Sequence, residues 1–262
     1  MPPSKSSASP SRQRLATYRA KRNFAKTPEP SGDRAAAPKR RSKTKELFFC
    51  VQKHLASHLH YDFRLEHAGV LLSWAVPKGP SLNPKDKRLA MRVEDHPFDY
   101  REFEGVIPEG YGAGIVMLWD RGTWTPARGF EDVDAALERG ELKFNISGVK
   151  LKGGWVLVRT RDARTWLLIK HRDEWAGEID VTTAAPDSVK SFGDFADILA
   201  AEKPDVWESH KPGGGASGQM LQSIIQKAAQ LRMKRERAPR KRTRAGAAKP
   251  ARRRATRRVA AR

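Results

Sequence analysis

The stretch His60–Glu66 alternates polar and apolar side chains, which is the pattern of a β-strand with one buried face. Successive side chains of a strand point to opposite faces of the sheet. The apolar positions, which would face a core, are Tyr61, Phe63 and Leu65. The polar positions, which would share the other face, are His60, Asp62 and Arg64. His54 would reach this polar face if the pairing continues through a turn near Ser57.

Seven further segments are short, rich in β-branched or aromatic residues and bounded by turn signals such as Lys78-Gly79-Pro80. They are Leu47–Val51, Val70–Val76, Arg88–Val93, Ile115–Trp119, Leu142–Ile146, Trp155–Arg161 and Thr165–His171. The pattern of Asp132–Arg139 predicts a helix. The spacing of apolar residues in Ser191–Ala201 predicts a second helix, which packs on the sheet. Many short strands without alternating long helices indicate a mainly antiparallel barrel or sandwich.

Charge divides the chain into three parts. The net charge is +21, but residues 1–46 hold 13 Lys and Arg against 3 acidic residues, and residues 227–262 hold 16 against 1. The centre then carries 22 basic and 26 acidic residues, a net charge of −4. Blocks of like charge with few large apolar residues predict disordered tails that bind a polyanion, and nucleic acid is favoured over a membrane surface.

These boundaries predict three regions. Residues 1–43 form a basic arm rich in Pro, Ser and Ala, and residues 44–212 form the folded β domain. Residues 213–262 begin with a linker, Gly213–Gly215, and end in a basic tail. Between them, Gln219–Met233 carries a helical stripe of apolar residues that is typical of a docking helix. The sequence shows no apolar signal core and no run long enough to span a membrane, and its single Cys50 allows no intramolecular disulfide, so we expect a reducing, cytoplasmic location.

The polar strand face is the first candidate for chemistry. Two imidazoles and a carboxylate, from His54, His60 and Asp62, suit a divalent transition metal such as Mn²⁺, Fe²⁺ or Zn²⁺ and leave positions open for substrate or water. The alternative is structural, with one histidine satisfied in the core and Asp62 paired to Arg64 on the same face.

Residues near turns and strand ends suggest a phosphate pocket in the same half of the domain. They are Lys78, Arg88, His96 and Tyr100. Together with Arg64 they could hold a phosphate ester, because guanidinium groups match phosphate oxygens bidentately. Taken singly, each is explained equally well as a surface charge or a capped turn.

Other signals do not support further sites. The glycine-rich stretch 105–114 lacks the Gly-Lys-Ser/Thr ending of a nucleotide-binding loop and is interpreted as a turn into Ile115–Trp119. No Lys-x-Asp-Gly adenylation motif is present, which argues against ligase activity in this chain. Cys50 lies in an apolar strand and is expected to be inert. His58 and His67 flank the polar strand and are expected to face solvent rather than a metal.

Several motifs together resemble the 3′-phosphoesterase domain of bacterial DNA ligase D, from the non-homologous end-joining pathway. They are Gln52-Lys53-His54, Leu59–Glu66, Ser73–Ser81, Val93–Pro97 and Trp119–Gly122. The resemblance extends from about Tyr18 to His210. It implies a compact antiparallel β-barrel with short flanking helices, and a Mn²⁺-dependent enzyme that removes 3′-phosphates and 3′-terminal ribonucleosides from DNA ends.

By this resemblance, His54, His60 and Asp62 are the metal ligands, and Arg64, His96 and Tyr100 hold or act on the scissile phosphate. The resemblance also implies that Lys78 and Arg88 contact phosphate or the DNA backbone.

The N-terminal patch is similar to the Lys-Arg-Asp-Phe…Thr-x-Glu-Pro segment of the same family. This implies that residues 18–30 fold over the site and bring Arg22 and Glu29 to it, which revises the disordered arm. Asn23 stands where the family usually has Asp, a difference that bears on ribonucleoside removal.

Without a polymerase or ligase region, the protein is expected to be a stand-alone end-cleaner associated with the nucleoid. Its expected partners are DNA 3′ ends in primer–template or duplex DNA, together with a separate ligase or end-binding protein. Two other classes stay open. One is a non-haem Fe(II) oxygenase that uses His60, Asp62 and a later histidine, His171. The other is a non-catalytic DNA-end or nucleoid-binding protein.

Overall fold

The computed structural model describes residues 10–32, 47–108 and 111–201, together with Gln226, Gln230 and Met233. The described part contains ten strands. They are β1 (Leu47–Leu55), β2 (Leu59–His67), β3 (Val70–Val76), β4 (Arg88–Arg92), β5 (His96–Pro97), β6 (Gly105–Ile107), β7 (Gly114–Pro126), β8 (Glu141–Gly148), β9 (Lys152–Arg159) and β10 (Thr165–Lys170). Its helices are α1 (Pro10–Arg14), α2 (Ala16–Ala20), a 3₁₀ helix (Phe98–Glu102), α3 (Val133–Arg139), α4 (Val181–Ala184) and α5 (Phe195–Ala201).

Eight strands close into an antiparallel barrel in the order β1-β2-β3-β4-β10-β9-β8-β7, because β7 pairs again with β1. The long β7 also pairs with β6, and the short β5 pairs with β3. The predicted antiparallel β-barrel with short flanking helices is confirmed, and each predicted strand overlaps an observed one.

Large aromatic residues fill the barrel interior. Phe63, Trp74, Trp119 and Trp155 are fully buried in one hydrophobic cluster. Burying each such side chain contributes about 1.5–3 kcal/mol, which makes this cluster the main source of stability. The alternation predicted for the central strand is confirmed, since Tyr61, Phe63 and Leu65 all belong to the interior cluster.

The hairpin of β1 and β2 brings the polar positions together outside the barrel. His54 pairs directly with His60, and Gln52 pairs with Asp62, across a turn that contains the exposed Ser57. Directly paired residues share a face of the sheet. We call this side of β1–β3, which points away from the barrel interior, the outer face. Ser73 joins it opposite Arg64.

The N-terminal segment, residues 10–32, packs on the barrel. Leu15 and Tyr18 are buried in a second hydrophobic cluster with Leu71 and Tyr100. The hydroxyl group of Tyr18 donates a hydrogen bond to the Pro30 carbonyl oxygen at 2.8 Å, which closes the segment on itself. These residues lie inside the region predicted as a solvated arm from composition.

The helix predicted at Asp132–Arg139 is confirmed as α3, with the Asp132 carboxylate as its N-cap, accepting from the Ala135 N–H at 3.0 Å. The second predicted helix is shorter than expected. It begins at Phe195, whereas Phe192 is exposed and has a positive φ of 61°. The linker Gly213–Gly215 lies outside the described residues, as does most of Gln219–Met233, of which three residues are described as helical.

Among the helices of the described residues, none is both long and apolar enough to cross a membrane.

Candidate metal centre and phosphate pocket

His54, His60 and Asp62 form what we call the metal-ligand cluster. Their ligand atoms lie within 4.8 Å of one another. Nδ1 of His54 is 3.7 Å from Asp62 Oδ2, and Nε2 of His60 is 3.7 Å from Asp62 Oδ1. The two imidazole ring centroids are 4.8 Å apart. This arrangement of two nitrogen donors and a carboxylate fits a divalent transition metal.

Backbone carbonyl groups fix the tautomers of both histidines. Nε2 of His54 lies 2.9 Å from the Gly112 carbonyl oxygen, and Nδ1 of His60 lies 3.0 Å from the His58 carbonyl oxygen. A carbonyl oxygen only accepts hydrogen bonds, so each of these nitrogens carries the proton. In the neutral imidazole, the other ring nitrogen of each histidine presents a lone pair toward Asp62, as metal ligation requires.

Asp62 is held as a carboxylate. Burial alone would raise its pKa, but the Arg64 guanidinium outweighs burial and holds the pKa well below its usual range. Nη2 of Arg64 lies 3.1 Å from Asp62 Oδ2. Burial lowers the pKa of His60, which favours the neutral imidazole. Asp62 and His60 therefore favour the ionisation states that bind a cation.

Arg64 is oriented by a set of short contacts on the outer face. Its Nε donates to Gln52 Oε1 at 2.7 Å, and its Nη1 donates to Ser73 Oγ at 2.8 Å. Gln52 in turn donates to the carbonyl oxygens of Tyr100 and Phe103. The guanidinium is buried and rigid, and its remaining N–H groups are available to an anion.

His96 lies on the far side of this pocket. Its Nδ1 is 2.9 Å from the Glu94 carbonyl oxygen, so Nδ1 carries the proton and Nε2 faces the pocket with a lone pair. Burial, reinforced by the cations Arg64 and Arg22, lowers the pKa of His96 well below its ordinary value. His96 is therefore a neutral hydrogen-bond acceptor in this structure.

Arg22 reaches the pocket from the N-terminal segment. Its Nη2 lies 3.3 Å from His96 Nε2, and its Nε donates to Glu29 Oε1 at 2.8 Å. Nη1 contacts Glu94 Oε1 at 3.3 Å, and the guanidinium carbon is 3.8 Å from the Tyr18 ring centroid. Its side chain is 4% exposed, so the buried cation is balanced by two buried carboxylates.

Tyr100 contributes an aromatic wall. Its ring centroid is 5.0 Å from that of His96 and 5.0 Å from the guanidinium carbon of Arg64. Burial raises the pKa of Tyr100 well above its usual value, which keeps the phenol protonated. The structure thus brings together eight of the residues predicted for the site. They are His54, His60, Asp62, Arg64, His96, Tyr100, Arg22 and Glu29.

Two other predicted phosphate contacts, Lys78 and Arg88, are not among these eight residues. Lys78 is exposed in the turn after β3, near the end of the barrel that carries His60. Arg88 pairs across the sheet with Leu168, which belongs to the interior cluster. Because directly paired residues share a face, the side chain of Arg88 points away from the outer face. Nη2 of Arg88 is bound to Asp86 at 3.1 Å. The geometry gives no support to a contact between Arg88 and the same phosphate as Arg64.

The remaining histidines do not join the metal-ligand cluster. The backbone N–H of His171 donates to the Gly154 carbonyl oxygen. Burial lowers the pKa of His171, and the nearby charges that add to this shift belong to Lys143 and Lys170. This position argues against His171 as the third ligand of an oxygenase triad. His58 is exposed as predicted, but His67 is not solvent-facing, because its Nε2 lies 3.0 Å from Asp134 Oδ2. Burial raises the pKa of the Cys50 thiol to about 12, as expected for an inert cysteine.

The glycine-rich stretch is more than a turn. Besides the hydrogen bond from His54 to the Gly112 carbonyl oxygen, Gly114 packs against the same imidazole, and a Cβ there would lie 3.0 Å from Nε2 of His54. Sequence reasoning missed this wall, and it also missed Gln52, Ser73 and Glu94. Gln52 could have been predicted from the sequence, because it lies two residues before His54 on the same strand and therefore shares its face of the sheet.

Comparison with known proteins shows similarity to bacterial DNA ligase D proteins. Residues 52–159 match the family model described as the DNA ligase D 3′-phosphoesterase domain. The chain is 52% identical over 189 residues to the multifunctional non-homologous end joining protein LigD of Pseudomonas aeruginosa. The aligned region covers 70% of this chain and 22% of that protein. It is 38% identical over 198 residues to the corresponding protein of Mycolicibacterium smegmatis, covering 74% of this chain and 23% of that protein. The chain thus spans about a fifth of the length of these relatives.

Proposed function

The central part of this chain resembles the 3′-phosphoesterase domain of bacterial DNA ligase D, and on that premise we propose that the protein is a metal-dependent phosphoesterase acting on DNA 3′ ends. Its reaction would be hydrolysis of a 3′-phosphate to a 3′-hydroxyl before ligation in double-strand break repair by end joining. Removal of 3′-terminal ribonucleosides would be a second activity of the same site.

The observation that carries this proposal is the position of the metal-ligand cluster beside two buried guanidinium groups. Asp62 is shared between the cluster and Arg64, and Arg22 lies across the pocket against His96. A cation site next to paired cationic side chains suits a dianionic phosphate. Mn²⁺ held by His54, His60 and Asp62 would supply Lewis-acid polarisation of a phosphate oxygen and a bound water of lowered pKa.

The side chains around the pocket would bind and orient the phosphate. Arg64 is fixed by Gln52 and Ser73, so its free N–H groups need no reorganisation when an anion arrives. Arg22 would neutralise a second phosphate oxygen, with Glu29 holding its guanidinium in place. Lys78 and Arg88 would contact the DNA backbone outside the pocket, as the family resemblance implies.

We assign His96 a role in proton transfer. Its pKa is lowered by burial and by two cations, and a dianionic phosphate placed beside it would raise that pKa again. His96 would thus gain a proton as the substrate binds and stabilise or protonate the leaving O3′. Tyr100 packs against the rings and would keep His96 and Arg64 in their relative positions.

The proposed partners are DNA 3′ ends in primer–template or duplex DNA, and a ligase or end-binding protein that uses the repaired end. A cytoplasmic location at the nucleoid follows from that substrate. The basic residues at both ends of the chain would attract the phosphates of DNA.

The test is conversion of a 3′-phosphate primer–template to a 3′-hydroxyl, with Mn²⁺ and with EDTA. We expect His60→Ala and Asp62→Ala to lose activity, and His58→Ala to retain it, because the exposed His58 contributes only its carbonyl group to His60. Activity of Asp62→Ala without metal would refute the metal site. Binding without any turnover by the wild-type protein would instead indicate a non-catalytic DNA-binding protein, and turnover that needs Fe²⁺ and O₂ would indicate an oxygenase.

A further inference from the structure

Tyr111 is an exposed aromatic residue at the edge of the pocket. Its side chain is 51% exposed. Large exposed hydrophobic residues in the described part of the chain are Leu89, Tyr111, Val149, Trp175, Ile179, Phe192 and Met233. Of these, Tyr111 contacts the N-terminal segment that completes the pocket. The Nζ atom of Lys21 lies 4.4 Å from its ring centroid and 3.4 Å from its hydroxyl oxygen.

The backbone places this ring beside the metal-ligand cluster. Tyr111 directly precedes Gly112, whose carbonyl oxygen accepts a hydrogen bond from Nε2 of His54 at 2.9 Å. The guanidinium carbon of Arg22 is 5.8 Å from the Tyr111 ring centroid. The ring thus lies near a proposed phosphate ligand, and the residue that follows it contacts a proposed metal ligand.

Lys21 holds the ring in this position. Its ammonium group is bound to Glu94 Oε2 at 2.9 Å, and the same Glu94 carboxylate contacts Arg22. The hydrogen bond to Glu94 raises the pKa of Lys21, so the cation persists at neutral pH. An exposed ring fixed by a cation and a buried carboxylate loses little conformational freedom when a ligand stacks on it.

The polar groups described above suit a phosphate and a cation, and a substrate that carries this phosphate also has a nucleobase to place. Every nucleobase has a π-face, and aromatic side chains next to a phosphate site commonly bind it by stacking. We propose that Tyr111 is the stacking platform for the terminal nucleobase of a DNA 3′ end, with Lys21 as its positioning residue. This inference rests on the proposed function and specifies how the same site holds its substrate.

A substrate comparison isolates the stacking contact. Two primer–templates with a 3′-phosphate are compared, one with a normal terminal nucleotide and one with an abasic terminal nucleotide. Affinity is measured by equilibrium binding, and KM and single-turnover rates are measured with Mn²⁺. We expect Tyr111→Ala to weaken binding of the normal end by roughly 5- to 150-fold. Wild-type protein should discriminate against the abasic end by a similar factor, and Tyr111→Ala should bind both ends equally.

Two further variants keep the test decisive. Tyr111→Trp should retain affinity and discrimination, because it preserves a stacking surface. Trp175→Ala is the matched control, since Trp175 is also exposed and contacts Lys152 rather than the pocket. An equal loss on normal and abasic ends in Tyr111→Ala, or discrimination that survives it, would overturn the proposal. Absence of turnover in wild-type protein would refute the proposed function, while the ratio of affinities for the two ends would still decide whether Tyr111 stacks on the base.

Discussion

The guanidinium of Arg22 lies 3.3 Å from the imidazole of His96, measured from Nη2 to Nε2. The two residues belong to different parts of the fold, because Arg22 follows α2 in the N-terminal segment and His96 begins β5 on the barrel. Tyr18 reinforces the contact, since its ring centroid is 5.0 Å from that of His96 and it is fully buried. The pocket therefore depends on docking of the N-terminal segment as well as on the barrel.

The first prediction concerns this contact. Arg22→Met should lower the single-turnover rate on a 3′-phosphate end by about 100-fold, because it removes a preorganised donor to the phosphate. Arg22→Lys should restore only part of the rate, since an ammonium group cannot reproduce the guanidinium fork. Mn²⁺ affinity should be unchanged in both, because Arg22 does not contact the metal-ligand cluster. The control is Lys26→Met on the same segment, and an equal loss there would show that these variants act through docking alone.

The second prediction concerns the neighbouring Asn23. Its side chain is exposed, and its Oδ1 accepts a hydrogen bond from the Ala25 N–H at 3.1 Å, so it caps a turn beside Arg22. Phosphate removal needs the central pocket, whereas ribonucleoside removal must also position a sugar. We expect slow ribonucleoside removal by the wild-type protein and a faster rate in Asn23→Asp, with phosphate removal unchanged. Rates on a 3′-ribonucleotide primer–template measure this, and equal wild-type rates on both substrates would contradict it.

Local patterns predicted the barrel and the outer face. The alternation along β2 separates Asp62 from Phe63 by strand geometry alone, and this required no knowledge of the partner strands. The side on which Arg88 lies could not be predicted in this way, because it depends on pairing between β4 and β10, which are distant in sequence. The Gly112 carbonyl contact with His54 has no side-chain signature. Docking of residues 18–30 was implied only by the family resemblance, because the composition of this basic segment predicts a solvated arm.

The third prediction concerns pH-dependent stability. Asp120 is fully buried and accepts hydrogen bonds from the backbone N–H groups of Arg121, Lys150 and Leu151, yet burial prevails and raises its pKa to about 6 from 3.8. The folded state thus binds this proton more tightly than the unfolded state, so the contribution to stability is complete below pH 3.8 and is lost as the pH rises through 6. The loss amounts to about 3 kcal/mol.

The measurement is denaturant unfolding of wild-type protein and Asp120→Asn from pH 4 to pH 7. The stability of the wild-type protein relative to Asp120→Asn should fall by about 2 kcal/mol over this range, because Asn does not titrate. Parallel pH profiles of the two proteins would show that Asp120 is ionised at pH 4 in the folded state.

The fourth prediction concerns the close approach of Gly114 to the metal-ligand cluster. A Cβ at this position would collide with the Leu55 carbonyl oxygen and press on Nε2 of His54. Gly114→Ala should therefore displace His54 and reduce Mn²⁺ affinity and turnover by about 10-fold or more. Gly129→Ala is the matched control, because Gly129 has a φ of 84° but no atom within 4 Å of an added Cβ. It should lose about 1 kcal/mol of stability through backbone strain and bind Mn²⁺ normally. Equal metal affinities in both variants would contradict the prediction.

The last prediction assigns long-range attraction for DNA to the basic ends of the chain. The centre has a net charge of −4, whereas residues 227–262 carry 16 Lys and Arg. Each phosphate neutralised on duplex DNA contributes roughly −0.9 to the slope of log affinity against log salt. Deleting the chain from Gly213 should weaken DNA binding and flatten this slope, while the single-turnover rate at saturating DNA stays near that of the wild type, because the pocket residues lie within residues 18–112.

A second variant keeps the full length but replaces the Lys and Arg residues of 227–262 with Gln, and it should reproduce the flattened slope if charge is responsible. An unchanged slope in both would place the DNA contacts on the barrel or on residues 1–46. A collapsed single-turnover rate in the deletion alone would show that the removed segment supports the pocket.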